Sequence, residues 1–119
     1  MKHIKLLTTF FIILVIIGCS TAYKTITAEM PDLSTKNDGV YRGFYDLLST
    51  PIKVTLNVVI ENKKIVNIEI LEHNCSPIGK KAEKIVDKII EQQNLTVDVI
   101  SGATASSISI LKAVEDALR

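Results

Sequence analysis

The stretch Ile52-Lys53-Val54-Thr55-Leu56-Asn57-Val58-Val59-Ile60 decides the fold. Ile52, Val54, Leu56, Val58 and Ile60 occupy every second position, and successive side chains of an extended chain point to opposite faces. Five aliphatic groups therefore share one face of a strand. Glu61-Asn62-Lys63-Lys64 interrupts the pattern, and Val66, Ile68 and Ile70 resume the alternation. Two such segments joined by a short polar break predict a β-hairpin over a common core. The break lacks Asn-Gly, the pair that most strongly favours a tight hairpin turn.

Upstream, Val40-Tyr41-Arg42-Gly43-Phe44-Tyr45 reads as a further short strand, and Pro51 separates it from the hairpin. Downstream, after the loop His73-Asn74-Cys75-Ser76-Pro77-Ile78-Gly79, the apolar spacing changes. Ala82, Ile85, Val86, Ile89 and Ile90 follow the i, i+3, i+4, i+7, i+8 stripe of an amphipathic helix, and Ile110, Leu111, Val114 and Leu118 mark a last one. Strands come first and helices after. That order predicts an α+β fold, an antiparallel sheet with a β-hairpin packed on one side by two helices.

The 119 residues leave room for one such domain. They are preceded by Phe10-Phe11-Ile12-Ile13-Leu14-Val15-Ile16-Ile17, an unbroken apolar run behind Lys2, His3 and Lys5. The run is short for a membrane span of roughly 20 residues and reads as a secretory signal. Residues 20–38 are polar, carry one proline and show no sustained period, so they read as a flexible tether. The expected organisation is a signal segment at 1–18, a modified N-terminus and tether at 19–38, and a folded domain at 39–119. Cleavage after Gly18 removes Lys2 and Lys5 from the 14 Lys and Arg, leaving 12 against 13 Asp and Glu, a formal −1. No basic patch for nucleic acid remains.

Val15-Ile16-Ile17-Gly18-Cys19 resembles the bacterial lipobox, which implies that Cys19 is acylated. Two or more acyl chains anchor stably where one is reversible. The resemblance thus implies a lipid-anchored protein of the cell membrane, held on its extracytoplasmic side. With Cys19 lipidated, Cys75 has no partner for a disulfide. After cleavage and lipidation the domain offers one histidine, His73, and one free cysteine, Cys75, too few for a tetrahedral N/S metal site. Ser101 does not stand in Gly-x-Ser-x-Gly, and there is no glycine-rich dinucleotide fingerprint.

Chemistry concentrates in Asp98-Val99-Ile100-Ser101-Gly102-Ala103-Thr104-Ala105-Ser106-Ser107, ahead of the last helix. Small residues at a helix mouth let a ligand approach unpaired backbone N–H groups at the positive end of the dipole, an arrangement suited to phosphate. Taken alone, Thr104, Ser106 or Ser107 could equally be an ordinary N-cap.

The run Asp98-x-x-Ser101-Gly102-Ala103-Thr104 resembles the flavinylation motif of the FMN-binding domain family. That family includes flavin-bearing subunits of the sodium-pumping NADH:quinone reductase and of the Rnf electron-transport complex. The similarity runs from Asp38-Gly39-Val40-Tyr41 through Ile52-Lys53-Val54 and Leu71-Glu72-His73 to the C-terminus. It implies FMN as cofactor, joined through its phosphate to Thr104 by a separate flavin transferase. Gly102 and Ala103 keep the approach open, Ser101 is a neighbour in the cofactor-binding motif and not the acceptor, and Asp98 belongs to what the transferase recognises. His73 lies where family members bring a loop toward the flavin, and Cys75 departs from the glycine- and proline-rich loops usual there. The implied role is electron carriage to or from a membrane redox partner protein, without enzymatic activity of its own. Two other readings stay open: a module that binds or delivers FMN without a covalent bond, and a structural or surface lipoprotein that keeps the fold without flavin.

Overall fold

The structure, a computed structural model, describes residues 28–119. The signal segment and Cys19 lie outside the described residues.

Three strands form one antiparallel sheet in the order β1 (Gly39–Asp46), β2 (Lys53–Glu61) and β3 (Lys64–Asn74). A 3-10 helix (Gly79–Lys84) runs directly into α1 (Ile85–Gln92), and α2 (Thr104–Leu118) closes the chain. The fold is α+β, with the hairpin and two α-helices where the periodicity put them.

The hairpin turn has two residues, Asn62 and Lys63, both at positive φ (52° and 63°). That is the backbone of a type I′ turn, whose twist matches the strands it joins. Lysine tolerates this conformation poorly, and a bond from the Asn62 N–H to Asp38 Oδ1 at 2.8 Å helps to hold it. The inward face of β2 is Val54, Leu56, Val58 and Ile60, all fully buried. Opposite them on β3 stand His73, Ile70, Ile68 and Ile65.

One feature of β3 departs from strict alternation. The pairing with β2 slips between Val59 and Ile60 and again between Thr55 and Leu56, leaving Val66 and Leu71 as extra residues. Each bulge inserts one residue and moves everything beyond it to the other face. Ile65 therefore takes the buried position expected for Val66, which is 44 % exposed, while Ile68 stays inside.

On β1, Gly43 lies opposite Leu56 beneath α2. A Cβ there would stand 1.9 Å from the Ala113 carbonyl oxygen and 2.8 Å from Ala117 Cβ. The missing side chain is what lets helix and sheet approach so closely. Buried Ile110, Ala113, Val114, Ala117 and Leu118 of α2 complete the core with Ala82, Ile85 and Ile89. Gln93, left-handed after α1, fastens that helix to β3. Its Oε1 accepts from the Ile65 N–H at 2.8 Å, and its Nε2 donates to the Ile65 carbonyl at 2.7 Å, imitating a strand partner.

The tether reading needs correction at its C-terminal end. Residues 28–38 pack on the domain: Ala28, Met30 and Leu33 are partly buried against the core. The Glu29 N–H donates to Glu115 Oε2 at 3.3 Å, and Lys36 Nζ to the Arg119 carbonyl at 2.9 Å. Spaced apolar residues in an extended strap have no period to betray them. The packed unit begins by Ala28, before the Gly39 boundary read from sequence.

Candidate functional site

The segment between α1 and α2 starts at Asn94, passes buried Leu95 and ends in a tight turn. The Ala103 N–H donates to the Ile100 carbonyl at 2.9 Å, closing a four-residue turn over Ser101 and Gly102. Gly102 has φ of +79°, the conformation that the third residue of a type II turn requires and that glycine adopts without cost. Ser107 clasps the turn from within α2. Its Oγ accepts from the Ile100 N–H at 3.1 Å and donates to the Ala103 carbonyl at 2.7 Å.

This turn delivers the chain into α2 with Ala103 as N-cap. Alanine supplies no side-chain acceptor, and no acidic residue stands in the first turn. The opening N–H groups and the positive dipole end of a 15-residue helix are thus left for an anion.

Exposure separates the hydroxyls of the segment. Ser106, Ser107 and Ser109 are buried, Ser107 in its clasp and Ser109 on the Ala105 carbonyl at 2.8 Å. Ser101 and Thr104 are exposed. Of these two only Thr104 lines the adjoining cleft, a space of ≈ 690 Å³. Small-molecule sites commonly fall in this range. One wall is Thr104, Ile108 and Leu111, a single face of α2. Another is Asn94 to Val97 with Val99, and a third is Ala28–Met30 from the strap. The lining is mainly apolar and, among the described residues, contains no cation.

The other residues singled out in the sequence lie apart. Asp98 is exposed and does not line the cleft, since its neighbours Val97 and Val99 turn toward it. The His73 side chain, only 2 % exposed, stands at the end of β3 with Nδ1 3.1 Å from Glu83 Oε1 and Nε2 buried without a partner. His73 does not line the cleft, so the structure does not bring it together with Thr104. Cys75 is half-buried, close to Gly79 and to the Ser106 hydroxyl. Burial, reinforced by the Glu83 carboxylate, pushes its thiol up against the opposing pull of Lys80 and Ser106. A neutral thiol serves as a small hydrophobe.

Sequence reasoning missed the Ser107 clasp and the apolar walls of the cleft. Val97 and Val99, alternating on the way into the motif, were the available signal for the second.

Residues 48–119 match the model of a family described as the FMN-binding domain, more than half of the chain. The chain belongs to that family. Its cofactor is FMN, and it is a flavin-binding protein. The match begins at Leu48, later than the resemblance read from Asp38, so β1 and the strap precede it. No curated protein matches the chain. The residues present fit FMN: an uncapped helix end and a turn without bulky side chains suit the phosphate, and an apolar cleft beside them suits a flat ring.

Proposed function

We propose that this protein is a lipid-anchored, extracytoplasmic electron carrier whose FMN is bonded through its phosphate to Thr104 Oγ1. The observation that carries the proposal is the position of Thr104, whose exposed hydroxyl stands where the uncapped end of α2 meets the apolar cleft. A hydroxyl there reaches a phosphate held by the helix end while the attached ring turns into the cleft.

In the attachment step, Thr104 Oγ1 attacks the FMN phosphorus of FAD and loses its proton. The phosphoanhydride bond breaks, and AMP leaves. An alcohol is too weakly acidic to do this unaided. A flavin transferase supplies the catalysis, and exposed Asp98 is free to contact it. Thr104 is an acceptor and not a catalytic residue. When bound, the flavin supplies one- and two-electron redox chemistry, and the protein positions the ring and sets its surroundings.

Membrane anchoring rests on the lipobox at Cys19. An anchored carrier needs an electron donor and acceptor at the same surface, which makes a membrane redox protein its natural partner.

The test is intact-mass measurement of protein exported from cells with a flavin transferase. Wild type should gain the mass of FMN as a phosphoester, located on the tryptic peptide Ile89–Lys112. Thr104→Val, which keeps branching and volume but deletes the hydroxyl, should gain nothing, and Ser101→Ala should retain flavin. Modification of Thr104→Val, or fragmentation that places the mass on Ser101, defeats the assignment. Wild type that binds FMN but releases it on denaturation is the noncovalent module instead.

A further inference from the structure

The third wall of the cleft comes from outside the family-matched region. Ala28, Glu29 and Met30 lie ahead of residue 48, yet they line the same cleft as Val97, Ile108 and Leu111. Two features hold them there. Met30 is partly buried against the core, and the Glu29 N–H is bonded to Glu115 Oε2. Glu115 is itself buried and fixed by Lys112 at 3.0 Å and by Arg119. The wall is thus attached to α2, the helix that carries Thr104.

We infer that the strap is part of the flavin site, with Met30 covering the isoalloxazine ring from the side opposite α2. The inference rests on the proposal that FMN occupies this cleft. The lining supports this orientation. Among the described residues its one ionic side chain is that of Glu29, which repels phosphate, so the phosphate belongs at the end of α2 and the ring at the strap end. A ring lying only on Ile108 and Leu111 would leave one face in water. A thioether on that second face makes favourable contact with an aromatic ring and excludes solvent. Because coupling is reciprocal, a flavin held by the strap also holds the strap down.

The experiment uses the full chain, flavinylated at Thr104, as wild type, Met30→Ala and Met30→Leu. Intact mass should be increased in all three, since each keeps the Thr104 hydroxyl that forms the bond. Quenching of flavin fluorescence by iodide should rise roughly threefold in Met30→Ala and stay near wild type in Met30→Leu, which keeps the apolar volume. Equal quenching in all three overturns the inference. A second measurement needs no covalent bond: free FMN is titrated into Thr104→Val with and without Met30→Ala. Affinity should fall roughly fivefold when Met30 is truncated. Equal affinities overturn the inference, as does failure of both chains to bind FMN. If the covalent reading alone is wrong, wild type shows no added mass while the titration still separates the two chains.

Discussion

Ser107 joins the two halves of the turn that presents Thr104, receiving the Ile100 N–H and donating to the Ala103 carbonyl from a fully buried position. Ser107→Ala leaves that half-buried amide without its acceptor. The expected loss is about 1–3 kcal/mol, read as a lower urea midpoint. Flavin incorporation should fall as well, because the helix end is no longer held beneath its turn, although Thr104 keeps its hydroxyl. Stability unchanged from wild type would show that water replaces the clasp. At this scale the sequence was legible for the tight turn at Gly102, whose positive φ depends on residue type, and for the place of Thr104 at the mouth of the last helix, while its bond to FMN belongs to the proposal. It was not legible for the serines. Ser101, Ser106 and Ser107 look alike in a string, and only the fold turns one to solvent, one toward Cys75 and one onto the backbone.

Among the elements, the approach of α2 to β1 is the most demanding contact. Gly43→Ala places a methyl against the Ala113 carbonyl, a backbone atom that moves only with the whole helix. The expected cost is about 3 kcal/mol or more, seen as a large drop in thermal midpoint. Gly39→Ala is the control: it meets nothing nearby but has φ of 157°, so any loss there is conformational. The strap contact with α2 depends on pH. Burial favours the neutral form of Glu115, but Lys112, Arg119 and the Glu29 amide override it and hold the carboxyl below the usual carboxylate range. A carboxyl lowered in the folded state contributes stability that is present above its unfolded value and is lost as pH falls through the folded one. The stability advantage of wild type over Glu115→Gln should therefore hold at neutral pH and shrink on acidification below the ordinary carboxylate range. Thermal melts across that range measure it, and a constant difference would show that the charge is not what holds the strap. Periodicity made the hairpin, α1 and the core stripe of α2 readable. It failed at the Val66 and Leu71 bulges, where ladder pairing overrides alternation, and in the strap, which has no repeat to detect.

For the whole molecule, the described residues make one small domain whose sheet is covered on one side only, with the cleft proposed for FMN at the junction of α2 and the strap. If the ring fills that cleft, the described lining has no Lys or Arg to hold the phosphates of a nicotinamide nucleotide beside it. Hydride transfer needs two rings stacked at close range, and such positioning supplies much of an enzyme's rate. Electron transfer to a partner protein does not require stacking, and a partly open cleft suffices. The flavinylated protein should therefore be reduced quickly when a membrane reductase and NADH are supplied together, and slowly with NADH alone. Anaerobic absorbance of the oxidised flavin follows both reactions. Rapid bleaching by NADH alone would mean that the cleft admits a nicotinamide beside the ring and that the protein is an enzyme in its own right. Slow bleaching in both would place the donor elsewhere than in the reductase tested, while leaving the flavin site as described.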